Sequence, residues 1–141
     1  GQKSFRNVSI EDVERISDEI LRKRALHVIT ENTRVLKTLS ALETDNFRLV
    51  GKYLYESHYS LRDNYEVSCP EIDFIIGELE KSSNVYGARI VGAGFGGCVI
   101  VLANSEFEKV IYEISKKYDM KYNIELKVID VETSDGVHRI E

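Results

Sequence analysis

A glycine-rich segment in the second half of the chain is the part of the sequence best suited to approach a ligand. Residues 87–98 read GARIVGAGFGGC and contain five glycines among twelve residues, between two apolar segments. Glycine reaches positive φ at little steric cost and exposes backbone N–H groups to close approach, at an entropic cost that a loop without a function seldom needs. We therefore predict that the functional centre is a backbone-lined loop. Its residues are Gly92, Ala93, Gly94, Phe95, Gly96 and Gly97.

The same glycines satisfy a second pattern, the G-x-G-x-x-G spacing of dinucleotide-binding proteins, at Gly92, Gly94 and Gly97. That fingerprint requires a helix directly after the glycines, whereas residues 98–103 (CVIVLA) form an apolar run rich in β-branched residues. The context therefore disfavours dinucleotide binding. On the local pattern alone, a plain glycine hairpin between two buried strands is the simpler alternative to a functional loop.

A polar stretch at residues 56–65 carries side chains that occur in acid–base catalysis. These are His58, Ser60, Arg62, Asp63 and Tyr65. Catalysis needs groups placed together in space, which proximity along the chain does not establish. We interpret the stretch as a polar helix end and connector, and His27 as a packed or hydrogen-bonded histidine. The residue pattern therefore identifies no catalytic residue in this chain.

Cysteine content and charge limit the classes of partner. Cys69 and Cys98 are the two cysteines, without C-x-x-C spacing or a histidine at ligand spacing, so we predict reduced, partly buried thiols and no structural metal. The net charge of −5 and the pI near 5.3 disfavour nucleic acid as a partner. No segment reads as a membrane span or a signal peptide, so we expect no membrane partner and a cytoplasmic location.

Capping signals and hydrophobic periodicity predict the helices of the first half of the chain. Ser9 followed by Asp12 predicts a capped helix start, and the amphipathic pattern that continues to Leu42 predicts one long helix. Asp45 is predicted to cap a second helix. Residues 68–71 (SCPE) combine a capping box with an early proline and predict a third. Its apolar face comprises Ile72, Ile75, Ile76 and Leu79.

The second half of the chain predicts strands on both sides of the glycine-rich loop, at about residues 86–92 and 97–103. Ser105 with Glu108 then predicts a capped helix, and alternating apolar residues predict a further strand. The alternating residues are Ile124, Leu126 and Val128, followed by a predicted turn at 134–136 and a short strand at 137–140. This order predicts one α+β domain over residues 1–141, with a mainly antiparallel sheet covered by helices.

The glycine-rich segment resembles the third sequence signature of the GHMP small-molecule kinases, and Phe95 within GAGFGG matches the form typical of galactokinases. Two further segments resemble galactokinase C-terminal sequence, in the family's order. They are residues 24–35 (RALHVITENTRV) and 56–73 (ESHYSLRDNYEVSCPEID). The resemblance covers nearly the whole chain and implies the fold of a GHMP kinase C-terminal domain.

The resemblance also implies a function. Galactokinases use MgATP to phosphorylate the anomeric hydroxyl of α-D-galactose, which gives galactose 1-phosphate and ADP. Their N-terminal signatures, R-x-N-L-I-G-E-H-T-D-Y and G-L-S-S-S-A, do not occur in this sequence. The resemblance therefore implies the C-terminal half only, with the catalytic groups and the contacts to ATP, Mg²⁺ and sugar in the N-terminal domain against which it packs. Only residues 92–97 carry over, as a loop facing the active-site cleft.

We expect such a half to be inactive by itself. Three alternatives stay open from the sequence. The parent protein can be a catalytically silent galactokinase-like sugar sensor. The serine-rich loop that distinguishes a sensor from a kinase belongs to the N-terminal half, whose signatures do not occur in this sequence. The parent protein can also be another GHMP small-molecule kinase, or the chain can be an unrelated α+β interaction module.

Overall fold

Helices precede a β-hairpin along the chain, and one more helix follows it. The computed structural model describes residues 4–132 and 136. Its helices are α1 (Ile10–Glu14), α2 (Glu19–Leu42), α3 (Phe47–Ser60), α4 (Pro70–Leu79) and α5 (Phe107–Tyr122), with a short 3-10 helix at Phe5–Asn7 and a π-helical turn at Leu61–Tyr65. Strands β1 (Val85–Val91) and β2 (Cys98–Ala103) pair antiparallel, Val91 opposite Cys98. The predicted α+β class is confirmed, with a two-stranded antiparallel sheet in the described residues.

The predicted long N-terminal helix is two helices. Ser9 and Asp12 form the predicted capping box, with each backbone N–H donating to the other side chain at 3.2 Å. Helix α1 ends at Glu14, and Asp18 begins α2 by accepting a hydrogen bond from the Leu21 N–H at 2.9 Å. An aspartate with extended backbone satisfies a free N–H of the first turn, so it starts a new helix within a pattern that looked continuous.

Two other predicted caps are displaced by one residue. Asn46, not Asp45, caps α3, and its side-chain oxygen accepts a first-turn N–H at 3.1 Å, while Asp45 has a φ of 50°. Glu106, not Ser105, precedes α5 and makes no side-chain cap. Its N–H is bonded instead to the Asn104 side chain at 3.0 Å. At α3 the two neighbours Asp45 and Asn46 are both good caps and the turn geometry selects the second, whereas at α5 the helix begins after a residue whose side chain does not cap it.

The main core lies between α4, the hairpin and α5. The apolar face predicted for α4 is fully buried, which confirms its period of 3.6 residues. Strand β1 and helix α5 contribute the other buried residues. The cluster comprises Ile72, Ile75, Ile76, Leu79, Val85, Ala88, Ile90, Ile114 and Tyr118.

Helix α3 packs directly on strand β1 through two glycines. A Cβ added to Gly51 would lie 1.9 Å from the carbonyl oxygen of Tyr86, and a Cβ added to Gly87 would lie 2.0 Å from the carbonyl oxygen of Gly51. The two backbones therefore touch where they cross, and any side chain at either position would separate them. This contact fixes the position of α3 relative to the strand that leads into the glycine-rich loop.

The strand predicted at residues 124–128 is not formed, and no strand is present between residues 123 and 132. Ile124 and Val128 are exposed, while Leu126 packs partly on the core. An alternating segment becomes a strand only when it pairs with a neighbouring edge, and within the described residues this segment pairs with neither β1 nor β2. The predicted turn at 134–136, apart from Gly136, and the predicted strand at 137–140 lie outside the described residues.

The longest helix, α2, carries several exposed apolar side chains. They are Ile20, Leu21, Val35, Leu36, Leu39 and Leu42. They form two groups toward opposite ends of the helix, at residues 20–21 and 35–42, and exposed apolar groups of this kind are candidate contact surfaces. Across residues 4–132, none of the helices has both the length and the apolar character needed to cross a membrane.

Candidate functional site

The glycine-rich loop joins β1 to β2 and has a left-handed backbone along most of its length. The φ angles are 84° at Gly92, 84° at Gly94, 58° at Phe95, 101° at Gly96 and 118° at Gly97. Each positive φ at a residue with a side chain costs about 1–3 kcal/mol. The loop contains one such residue, Phe95. Its shape therefore depends on glycine at the other four positions that have a positive φ. The loop forms where it was predicted, and its role stays a prediction.

Val67 holds the middle of the loop. The Phe95 N–H donates to the carbonyl oxygen of Val67 at 2.7 Å. A Cβ added to Gly94 would lie 2.6 Å from that same oxygen and 2.8 Å from the Cβ of Val67. Gly94 is therefore required twice, by its positive φ and by the closeness of Val67. The Phe95 N–H is occupied within the protein, so it is not among the donors that the loop offers to a ligand.

The outer side of the loop is open. Cβ atoms added to Gly92, Gly96 or Gly97 would have no atom within 4 Å. The Phe95 side chain is 74% exposed, and the neighbouring Cys98 thiol is free and exposed. A ligand or another domain can therefore approach this backbone to contact distance. Such bare, oriented backbone suits close packing against a substrate-binding cleft.

The segment that carries Val67 leaves a π-helical turn. The carbonyl of Leu61 accepts the Val67 N–H at 3.1 Å, and Glu66 between them has a left-handed φ of 59°. Arg24 of α2 donates to the carbonyl oxygen of Asn64, and its Nη2 lies 2.5 Å from Oε2 of Glu66. Single π-helical turns occur frequently at functional sites. Helix α2 thus fixes the turn that supports the loop.

His27 is buried and hydrogen-bonded, as predicted. Its Nδ1 lies 2.9 Å from Oγ of Ser60, and its ring contacts Tyr65 with 4.7 Å between the centroids. Asn64 donates to the same Ser60 hydroxyl at 3.3 Å. Burial, followed by the nearby guanidinium of Arg34, lowers the pKa of His27. The neutral imidazole therefore serves as a packed link between α2 and the π-helical turn.

His58 is completely buried and faces α4. Its Nε2 lies 3.4 Å from Oδ1 of Asp73, and the Ser68 hydroxyl donates to that carboxylate oxygen at 2.6 Å. Burial lowers the pKa of His58, and the Asp73 carboxylate opposes the shift. Ser68 was predicted to cap α4, but Cys69 occupies the cap position, and the predicted proline stands at the first helical position, Pro70.

The polar stretch at 56–65 does not form one catalytic constellation. His58 faces Asp73, Ser60 faces His27, and Arg62 pairs with Asp63 at 2.7 Å. The partners of His58 and Ser60 are side chains of other elements, so the stretch is more than the polar helix end and connector that the sequence predicts. The stretch is a packing junction between α2, α3 and α4.

A polar cluster ties α2, α3 and β1 together. Arg34 forms an ion pair with Glu31, and the Ser57 hydroxyl donates to Oε2 of Glu31 at 2.7 Å. Arg89 of β1 reaches the same carboxylate oxygen at 3.5 Å. Burial lowers the pKa of both arginines, yet each stays a cation because the guanidinium starts from a very high pKa. The cluster holds the strand that leads into the loop.

Sequence reasoning missed the supporting residues of the loop. The sequence assigns no role to Glu66 or Val67, and it predicts only a solvated helix face for the basic run that contains Arg24, whose side chain is instead bonded to the turn. The cysteine prediction is correct in part: both thiols are free and Cys69 is half-buried, but Cys98 is exposed. Among the residues that the structure describes, no group of three or more His, Cys, Asp or Glu side chains is arranged to hold a metal ion.

We expect the free energy of unfolding to fall as the pH is lowered from about 7.5 to 5.5. Both His27 and His58 have a folded-state pKa below the ordinary value of about 6.5. Below that value the unfolded chain binds protons that the folded chain does not. The contribution of these histidines to the free energy of unfolding is therefore complete above pH 6.5 and is lost as the pH falls from 6.5 to the lowered folded-state pKa. Urea unfolding at each pH measures this, with His58→Gln as the variant that flattens the slope. A flat wild-type profile would contradict the assignment.

This chain is similar in sequence and in structure to known proteins. Residues 38–119 match the family described as GHMP kinases C terminal. The chain is 50% identical over 141 residues to a galactokinase of Thermotoga petrophila, covering 99% of this chain and 40% of the relative. It is 43% identical over 142 residues to a galactokinase of Thermosipho africanus, covering 100% of this chain and 40% of the relative.

A solved structure is also similar. Lactococcus lactis galactokinase complexed with galactose superimposes with a TM-score of 0.81 at 33% sequence identity, over 89% of this chain and 34% of that chain. This chain therefore spans about two fifths of the length of the curated relatives that it matches.

Proposed function

This chain belongs to the GHMP kinase family as a C-terminal domain, and from this we propose that it is the C-terminal domain of a galactokinase. The observation that carries the proposal is the extent of its similarity to galactokinases, at half of all positions over almost the whole chain. The structural similarity to a galactokinase complexed with galactose supports it. The Phe95-containing GAGFGG segment, typical of galactokinases, supports the same choice within the family.

In the proposed reaction, the anomeric hydroxyl of α-D-galactose attacks the γ-phosphorus of ATP. A bond forms between the sugar oxygen and phosphorus, the bond to the ADP oxygen breaks, and a base receives the hydroxyl proton. The products are galactose 1-phosphate and ADP. Mg²⁺ would neutralise charge on the phosphate oxygens during this transfer. We assign the metal ligands, the base and the main sugar contacts to the rest of the parent protein, and no catalytic residue to this chain.

The proposed contribution of this chain is to shape the cleft. The backbone from Gly92 to Gly97 would form one wall, with open glycines against the reacting groups. Phosphoryl transfer depends on in-line geometry and on exclusion of competing water, so the position of such a wall affects the rate. The exposed Phe95 side chain would be covered by the rest of the parent protein.

The proposed partners are galactose, ATP and the N-terminal domain of the same polypeptide. The exposed apolar groups of α2 and the 74% exposed Phe95 support the domain contact, because grouped exposed apolar side chains mark interaction surfaces. We expect a cytoplasmic parent enzyme and no nucleic-acid or membrane partner. We also expect this chain to be inactive when it is separated from that domain.

The test is release of ADP from MgATP in the presence of galactose. The 141-residue chain is assayed alone and together with the N-terminal half of its parent protein, with mevalonate as the control substrate. We expect activity only in the mixture that contains galactose. Activity of the chain alone would contradict the assignment of all catalytic groups elsewhere. Association and galactose binding without ADP release would identify a sugar sensor, and ADP release with mevalonate would identify a different GHMP kinase.

A further inference from the structure

We propose that residues 66–68 clamp the glycine-rich loop in its productive shape, and that Arg24 is a positioning residue that holds this clamp. The inference rests on the proposed function, because it concerns the same loop, and adds a residue with no assigned role. Arg24 lies on α2, in a different element from the loop and from the clamp. Its effect on the loop would therefore pass through Glu66 and Val67.

The clamp holds the loop through one peptide carbonyl. The oxygen of Val67 accepts the Phe95 N–H at 2.7 Å, and the N–H of Val67 donates to the carbonyl of Leu61 at 3.1 Å. Both hydrogen-bonding groups of Val67 are thus used, and its carbonyl direction is set by the π-helical turn. Because Gly92, Gly94, Gly96 and Gly97 each permit many backbone conformations, the loop needs an external contact to select one.

Arg24 fixes the turn that orients Val67. Its guanidinium donates to the carbonyl of Asn64 and to the carboxylate of Glu66, and its Cζ lies 5.9 Å from the ring centroid of Tyr65. One planar group thereby contacts three consecutive residues. Glu66 has a left-handed φ of 59°, an unfavourable conformation that such contacts stabilise. Lysine can replace the charge but not this two-nitrogen geometry.

The other end of the clamp is fixed independently. The Ser68 hydroxyl donates to Asp73 of α4 at 2.6 Å, immediately before the helix begins at Pro70. Movement of Val67 is therefore opposed from α2 on one side and from α4 on the other. Removal of the Arg24 contacts alone is expected to make the Val67 carbonyl more mobile, while the hydrogen bond between Ser68 and Asp73 still holds the segment to α4.

Arg24 is separable from the stability of the core. Its side chain is 30% exposed, and the side-chain hydrogen bonds that it makes within the described part of the chain go to Asn64 and Glu66. Neither the main core nor a second buried apolar cluster, formed by Val13, Ala25 and Ile29, includes it. The adjacent Lys23 is a matched control: it lies on the same helix, pairs with Glu19 at 3.7 Å and acts on Glu66 through its charge alone, so it separates the charge of Arg24 from its hydrogen bonds.

The test is amide hydrogen exchange of the 141-residue chain, measured residue by residue by NMR for Arg24→Gln and Lys23→Gln. In Arg24→Gln we expect exchange at the Phe95 amide to accelerate about tenfold, with amides of β1 and β2 within about twofold of wild type. Arg24→Lys should give an intermediate acceleration. Lys23→Gln should leave Phe95 unchanged. Equal exchange at Phe95 in all the variants would overturn the proposal.

A second variant separates local from global effects. Glu66→Gln leaves the contact to the Asn64 carbonyl and removes the charge pair, so we expect a smaller acceleration at Phe95 alone. If Arg24→Gln and Glu66→Gln both accelerate exchange at core amides as much as at Phe95, Arg24 contributes to global stability and the positioning role is wrong.

The consequence for catalysis is measured in the intact parent kinase. We expect Arg24→Gln to lower kcat for galactose phosphorylation about tenfold, with a smaller change in KM and an unchanged melting temperature. Unchanged kcat despite faster exchange at Phe95 would overturn the catalytic importance of the clamp. Exchange is measured without substrate, so a parent protein that does not phosphorylate galactose would refute the proposed function while the exchange result still decides the clamp.

Discussion

Gly51→Ala is expected to lower the free energy of unfolding by about 4 kcal/mol or more, which is enough to prevent folding of a marginally stable chain. The added Cβ would lie 1.9 Å from the Tyr86 carbonyl oxygen, so it would overlap backbone atoms of β1. A side chain can rotate away from such an overlap, but a strand backbone cannot. Helix α3 would have to move off the sheet, together with the buried His58 near its end.

Urea unfolding followed by circular dichroism measures this effect. Gly87→Ala tests the same contact from the strand side, because its Cβ would lie 2.0 Å from the Gly51 carbonyl oxygen. Gly77→Ala is the matched control: it lies in α4 with no atom within 4 Å of an added Cβ, and we expect it to stabilise the helix by up to about 1 kcal/mol. A Gly51→Ala variant as stable as Gly77→Ala would show that α3 and β1 do not touch.

Gly94→Ala in the intact parent kinase is expected to lower kcat/KM by about 100-fold while the protein stays folded. The added Cβ would lie 2.6 Å from the Val67 carbonyl oxygen, the atom that accepts the Phe95 N–H. The loop can relieve this overlap by giving up that hydrogen bond and moving away from Val67. A displacement of about 1 Å near reacting groups is enough to reduce a rate about 100-fold.

Steady-state kinetics with galactose and MgATP, with melting temperatures measured in parallel, test this expectation. Gly92→Ala is the matched control within the loop, because Gly92 has the same φ of 84° but no atom within 4 Å of an added Cβ. We expect the control to carry only the cost of its backbone strain, about tenfold at most in kcat/KM. Equal losses for the two variants would attribute the effect to strain rather than to the contact with Val67.

Several elements were predictable because their signals are local. The buried face of α4 follows from the spacing of Ile72, Ile75, Ile76 and Leu79, and both strands follow from apolar runs on either side of the glycines. The break between α1 and α2 was missed because the apolar period resumes after Asp18. The predicted strand near Leu126 was wrong because pairing depends on a neighbouring edge, which a single segment does not encode.

The sequence by itself determined that a glycine-rich loop joins two strands and, through resemblance, that the chain comes from a GHMP kinase. Glycine permits positive φ and close approach of the backbone, so the position of such a loop can be read from residue identity alone. Only the tertiary structure decided that Val67 supports Gly94 and Phe95, and that Arg24 reaches a turn 40 residues away. A backbone carbonyl that accepts a long-range hydrogen bond carries no residue identity, so no sequence pattern reports it.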